Sequence, residues 1–287
     1  MIQDISPSRL DNSYRCVLPE PESFVMCFRD GRLLASAAGG QLRFPRYQNG
    51  SAEAVYLFAV DSERFYLAEV PEIPAGFQFY TIRELRDQCT GKYLYAAFTA
   101  YHLHQWYAEN RFCGSCRGVM RHDTAERALV CADCGHKIYP RINPAVIVGV
   151  ISRGRLLITR YRRGYAHNAL VAGFTEIGET LEETVAREVM EETGLHVRNI
   201  RYYKSQPWGM TQDILAGFFC EAAGDDTIRM DDSELRSACW CLPDEIALQP
   251  QQHSLTNEMM KLFRDTNGHL PPEIMPHGEA CAGNTDR

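Results

Sequence analysis

No apolar run in this chain approaches the roughly 20 residues that a membrane-spanning helix needs, so no membrane partner is expected. The opening stretch, MIQDISPSRLDNSYRC, has no basic segment leading into an apolar one, and a secretory signal is not expected either. Internal repeats are missing. So is a surplus of positive charge: 30 Lys and Arg stand against 37 Asp and Glu, and the net charge of −7 disfavours indiscriminate grip on a polyanion. Of 11 cysteines, seven (Cys16, Cys27, Cys89, Cys220, Cys239, Cys241, Cys281) follow no framework spacing. Without export they are expected to be reduced thiols, which points to a cytoplasmic location.

What is present is the composition of a globular protein, 45% hydrophobic and 23% charged over 287 residues, long enough for two cores. Residues 1–97 read as mostly β, with short apolar runs such as 54–60 and 65–68 divided by Gly, Asn and Asp. Residues 93–110 have helical composition. Strands are expected over 144–151 and 155–160 around an Arg153-Gly154 turn, then near 200–204, 214–221 and 238–242, with a helix near 254–264. The tail from His269, rich in Pro, Gly, Asn and Asp, is expected to fray. Charge is uneven. Between Arg111 and Arg141 six Lys/Arg face three acids, a local +3, and Arg160, Arg162 and Arg163 form a second basic cluster.

Cys113-Gly-Ser-Cys116 and Cys131-Ala-Asp-Cys134 are two Cys-x2-Cys knuckles separated by 14 residues, the spacing of a tetrahedral zinc site. Four thiolates would close the coordination shell and leave no position for water, which argues for a structural ion. A disulfide pair or a redox Cys-x-x-Cys is the competing reading, disfavoured in a reducing compartment. The four-cysteine set leaves His122 and His136 as surface residues. With its local positive charge the ribbon also admits a nucleic-acid-binding role.

The densest chemistry lies between Gly173 and Leu195, GFTEIGETLEETVAREVMEETGL. Thr180 and Glu183 have the spacing of a capping box, Leu181, Val185 and Val189 form an apolar stripe, and Gly194 is placed to end the helix in the left-handed conformation. A helix over 180–192 is expected. Glu188, Glu191 and Glu192, at i, i+3 and i+4, then fall within roughly a 100° arc. Like charges so phased on one exposed face repel, and a helix keeps them most readily against a divalent cation. Oxygen donors favour Mg2+ or Mn2+ over zinc. An ordinary solvated acidic helix is the alternative that composition alone favours.

The pattern Gly173, five residues, Glu179, seven residues, then Arg187-Glu188-Val189-x-Glu191-Glu192-x-Gly194-Leu195 resembles the Nudix box without a mismatch. A zinc ribbon directly before it, Tyr139-Pro140-Arg141-Ile142-Asn143-Pro144 after the last cysteine, and Ser205-Gln206-Pro207-Trp208 eleven residues beyond Gly194 are together similar to the NADH pyrophosphatase family. The chain departs from that family after Trp208, where Gly209-Met210-Thr211-Gln212-Asp213 replaces the usual PFPxS. The resemblance implies an α+β fold: a Nudix α/β/α sandwich with a mixed sheet over 143–268, preceded by a β-rich domain over 1–97 and a helix plus four-cysteine zinc ribbon over 98–142, and followed by a flexible tail over 269–287.

It also implies site roles. Glu188 and Glu192 would bind Mg2+ or Mn2+, two to three ions per site, with the Ala172 carbonyl, Glu191 and Glu234 as further donors. Arg187 would brace the carboxylates by pairing with Glu179. Tyr139, Phe174 and Trp208 would face the substrate, in company with Gln206, Pro207, Gly209, Met210, Thr211, Gln212, Asp213, Thr256, Arg46 and Arg83. Core packing is the alternative for each aromatic, and a solvated loop acid the alternative for Glu234. The implied activity is hydrolysis of NADH or NAD+ to nicotinamide mononucleotide and AMP, together with removal of NAD caps from RNA, by a homodimer. Hydrolysis of ADP-ribose or another dinucleotide is a second expectation. A zinc-ribbon nucleic-acid-binding protein with an inactive Nudix domain is a third.

Overall fold

The computed structural model describes residues 1–48, 54–164 and 167–274; Cys281 and the expected tail beyond residue 274 lie outside them. The chain divides into two compact units. One comprises residues 2–142 with 207–213, the other residue 1, 143–206 and the chain from 214 onward.

In the first unit β1 (Leu10–Asp11), β2 (Phe24–Met26), β3 (Phe28–Arg29), β4 (Arg32–Ala38), β5 (Gln41–Arg43), β6 (Val55–Val60), β7 (Glu63–Leu67) and β8 (Gln78–Tyr80) precede α1 (Ile82–Gln88) and α2 (Lys92–Glu109). One sheet has the order β1-β6-β7-β2, and a second has β3-β4-β5 with β8 on β4. Leu57, Phe58, Phe65, Leu33 and Met26 are fully buried, and the inward side of α2 (Leu94, Ala97, Phe98, Leu103) closes the same core. The expectation of a mostly β segment through residue 97 needs α1 added to it. A capping box, Thr81 with Glu84, starts that helix, and this local signal outweighs the surrounding β pattern.

The ribbon strands β9 (Met120–His122), β10 (Leu129–Cys131) and β11 (Lys137–Ile138) form their own antiparallel sheet. They join the unit through Trp106 at the end of α2, which packs against Met120, Leu129, Cys113 and Cys131. Arg127 adds a polar tie, donating to the carbonyls of Leu57 at 2.6 Å and Asn12 at 3.2 Å.

The second unit holds β12 (Asn143–Ser152), β13 (Arg155–Tyr161), β14 (Val171–Phe174), α3 (Leu181–Thr193), β15 (His196–Trp208), β16 (Asp213–Ala223), β17 (Leu235–Cys241) and α4 (Leu255–Asp265). The sheet order is β15-β16-β12-β13-β17, with β14 paired to β12. Alternation along the strands builds two cores. Val146, Val148, Val150 and Leu157 face the stripe Val185 and Val189 of α3, while Ile147, Leu156, Ile158 and Phe219 face Leu255, Met259 and Phe263 of α4. A sheet buried on both faces between helices is the expected α/β/α sandwich. The Arg153-Gly154 turn has positive φ at both residues, 50° and 72°, as a two-residue hairpin requires. Gly173 and Phe174 end β14.

Helix α3 begins and ends as the sequence indicates. Thr180 and Glu183 complete the capping box, and Gly194 sits at φ 69° and ψ 17°. A Cβ on Gly194 would also lie 2.9 Å from Cβ of Arg229. Gly194→Ala is therefore expected to lower unfolding stability by about 1–2 kcal/mol, measured by urea denaturation.

Candidate active site

Arg187 organises the loop–helix segment. Its Nε and Nη2 donate to Glu179 Oε1 and Oε2 at 2.6 and 2.9 Å, a two-toothed pair. Nη2 also reaches the Phe174 carbonyl at 2.8 Å, and Nη1 reaches Glu188 at 2.7 Å and Glu191 at 3.0 Å. Glu179 further accepts from the Glu176 amide and the Thr184 hydroxyl, each at 3.0 Å. Arg187 first, then the amide, hold the Glu179 carboxyl down at about 2, so it serves as a fixed anion.

The three helix carboxylates do not share one environment, which corrects the expectation of a single exposed acidic face. Glu191 is exposed, Glu188 is largely covered, and Glu192 is only 2% exposed. Burial drives the Glu192 carboxyl up to about 8, with Glu188 and Glu234 adding like-charge repulsion against the Tyr161 and Ala172 hydrogen bonds. Burial likewise raises Glu188, with Glu191 and Glu234 again adding repulsion. Glu234, at the start of β17, thus lies within electrostatic reach of both.

The donor set fits a divalent cation on two further observations. A Cβ built on Gly173 of β14 would fall 1.9 Å from the Glu188 carboxyl carbon, so this strand leaves a cradle that the carboxylate occupies. And a carboxylate as buried as Glu192, crowded by other carboxylates, gains most from a positive partner. Ala172 pairs with Ile147 of β12 but sends its amide to the Tyr161 hydroxyl at 3.1 Å. Its carbonyl, on the same edge of an extended residue, therefore also turns away from β12. Tyr161 gave no sequence signal, standing as an ordinary strand residue before the Nudix-like box.

The positions suggested for substrate are divided between the units. In the second, Phe174 is 53% exposed beside a fully exposed Ile177, and Thr256 is half-buried in the first turn of α4. Gln206 is fully buried, donating to the His253 carbonyl and accepting from the Leu255 amide at 2.7 Å each. Positioning the start of α4 accounts for that side chain. In the first unit Tyr139 is exposed and donates to Glu126 at 3.0 Å. Trp208, after Pro207, meets Phe98 edge-on at 5.3 Å, and Met210 joins the same core. The departure from PFPxS has a steric reason at its first residue, since a Cβ on Gly209 would lie 2.1 Å from the Phe98 carbonyl oxygen. Gln212 donates to Glu109 and accepts from Arg141 Nη2 at 3.4 Å, and buried Asp213 accepts from Thr211. Arg46 is exposed over the Phe24 ring, 3.7 Å from its centroid, and Arg83 is exposed on α1.

Cys113, Cys116, Cys131 and Cys134 bring their sulfurs within 4.8 Å of one another, the group that converges so closely among the described residues. Cys113 and Cys134 are 3.8 Å apart and Cys116 and Cys131 3.3 Å, too far for disulfides. A tetrahedron with metal–sulfur bonds of about 2.3 Å has edges of about 3.8 Å. The knuckles repeat one backbone plan: the amides of Cys113 and Cys131 bond the carbonyls of Gly118 and His136, five residues on, and Arg117 and Gly135 take φ of 68° and 72°. Backbone amides lower the Cys113 and Cys131 thiols, while Cys116 and Cys134, which donate to those sulfurs, are raised, so the four thiols share protons as one group. His122 and His136 are exposed, as expected.

The Nudix domain family matches residues 141–263. The NAD-capped RNA hydrolase NudC of Klebsiella pneumoniae is 36% identical over 184 residues, covering 63% of this chain and 70% of that protein. The chain belongs to the NudC family of Nudix hydrolases. The NudC of Salmonella schwarzengrund is 35% identical over the same shares of the two chains. Among solved structures, a Nudix hydrolase from Nitrosomonas europaea is 20% identical with a TM-score of 0.48, covering 54% of this chain and 91% of that one. As a NudC-family protein the chain is a Nudix pyrophosphatase.

Two measurements test the geometry. Gly173→Ala should displace Glu188 and lower kcat at least about tenfold, with the circular dichroism spectrum retained. Elemental analysis should find one zinc per chain, lost in Cys131→Ser together with ribbon stability.

Proposed function

We propose that this NudC-family chain hydrolyses the pyrophosphate of NADH and NAD+, giving nicotinamide mononucleotide and AMP, with Mg2+ or Mn2+ held by Glu188, Glu192, Glu234 and the Ala172 carbonyl, and with Glu191 able to take a further ion. The observation that carries this reading is the mutual repulsion of buried Glu192 and half-buried Glu188, with Glu188 set against a side-chain-free cradle at Gly173.

Bound cations would neutralise the two adjacent phosphates and acidify water. The chain's own residues do the rest. Arg187 and Glu179 hold the loop and helix together, keeping the carboxylates in phase. Glu192, half of a carboxylate–phenol pair with Tyr161, is placed to accept the proton of the attacking water on a carboxylate oxygen. The water oxygen bonds to one phosphorus as the bridging P–O bond breaks, and the two mononucleotides leave. Phe174, exposed and preceding the box glutamates, offers a flat face for a nicotinamide or adenine ring. The naming of the Klebsiella and Salmonella relatives as NAD-capped RNA hydrolases supports extending the substrate to RNA with a 5′ NAD end. The +3 segment between Arg111 and Arg141 supports the same extension. A structural Zn2+ at Cys113, Cys116, Cys131 and Cys134 completes the reading.

The wild-type protein is expected to hydrolyse NADH in Mn2+ buffer and to stop when EDTA is added. Glu192→Gln should retain the fold and lose at least about a hundredfold in kcat. Without divalent cation it should be no less stable than wild type, because burial already favours the neutral form of Glu192 and the amide keeps its shape. Near wild-type turnover by Glu192→Gln would refute the assignment. For RNA, cleavage of a capped transcript that is no better than cleavage of free NADH and indifferent to salt would reduce the ribbon to scaffold.

A further inference from the structure

We infer that Tyr161 and Arg162, at the end of β13, form the positioning device that brings the three metal-donor elements of the site together. This rests on the reading of the carboxylates as metal ligands given above. The Tyr161 hydroxyl lies 3.1 and 3.3 Å from the two oxygens of Glu192 on α3. The same oxygen accepts the Ala172 amide of β14 at 3.1 Å. One buried hydroxyl thus links the helix that carries Glu192 with the strand that carries the Ala172 carbonyl. The next residue reaches the third element. The Arg162 amide donates to the Glu234 carbonyl at 3.0 Å, and its Nε donates to the Leu235 carbonyl at 3.2 Å.

The local backbone explains how one strand end serves three partners. Pairing of β13 with β17 is regular from Leu156 to Arg160, then shifts register between Arg160 and Tyr161, where Tyr161 stands opposite Leu235. The extra residue, Arg236, belongs to β17, and a bulge bends the strand that carries it, here just after Glu234 and Leu235. The Tyr161 hydroxyl has a single proton to give, and with the Ala172 amide as its donor the Glu192 carboxylate is the acceptor within its reach. A neutral hydroxyl can steady a carboxylate without competing with a metal cation for it, as an ammonium or guanidinium would. Arg162, in turn, bonds the backbone carbonyls of Glu234 and Leu235 and not the Glu234 carboxylate among the described residues. Neither residue touches substrate in this scheme, and both act through the donors.

The inference is tested on the full-length protein with Mn2+ alone as probe, by electron paramagnetic resonance titration of bound against free ion. Tyr161→Phe removes one oxygen and keeps the ring. It is expected to weaken Mn2+ binding about tenfold or more, the usual scale for outer-shell partners of metal ligands. Metal-free Tm should stay close to wild type. Arg162→Met should weaken binding in the same direction. In a double-mutant cycle, Tyr161→Phe should add little to Glu192→Gln, because the hydroxyl acts through that carboxylate. Wild type that binds Mn2+ while Tyr161→Phe binds it equally well overturns this inference alone. Full additivity in the cycle does the same, assigning Tyr161 to packing. Wild type that takes up no Mn2+ overturns the proposed function, and this inference falls with it.

Discussion

The loop–helix segment from Gly173 to Leu195 depends on one side chain. Arg187 engages Glu179, Glu188, Glu191 and the Phe174 carbonyl at once, so a loop, a strand end and a helix turn are fixed by a single planar cation. Its rigid fork matters as much as its charge: a lysine could neutralise one of these carboxylates but could not hold a two-point grip on Glu179 and still reach the others. With Arg187 in place, acids of one sign can be packed along one helix without splaying. Their residual repulsion is directed to where a divalent ion would relieve it.

That arrangement divides labour among chemically identical groups. Glu179 is held ionised by its partners, Glu191 stays in water, and Glu192 is drawn into the protein beside Tyr161. Depth separates the environments: the same residue type is a braced anion, a solvated acid or a buried acid according to how much water it keeps. The thiolates of the ribbon follow a related logic. There, backbone amides of the knuckle supply the stabilisation that favours the charged form at Cys113.

Much of this was legible in the residues themselves because the governing signals are local. The capping box at Thr180, the left-handed stop at Gly194, the i, i+3, i+4 phase and the paired Cys-x2-Cys knuckles each act within a few residues, and each appears where the pattern places it. What escaped was set by contacts distant in the chain. Glu192 is hydrogen-bonded by Tyr161, 31 residues away, and nothing in the strand pattern around Tyr161 distinguishes it. The same holds for Gln206, which reads as part of a signature segment but folds under the start of α4, 47 residues on. The need for glycine at Gly173 has a visible motif position, while its physical cause, a carboxylate pressed against the strand, exists only once sheet and helix meet.

The excursion at residues 207–213 has a bearing on modularity. Chain order suggests that the sandwich could be cut away at residue 143, yet Trp208 and Met210 belong to the hydrophobic interior built around Phe98. A severed C-terminal fragment would carry that apolar loop with nothing to cover it, and the remaining piece would have a gap where two large side chains had been. Cutting there would part Trp208 and Met210 from the interior they help to fill.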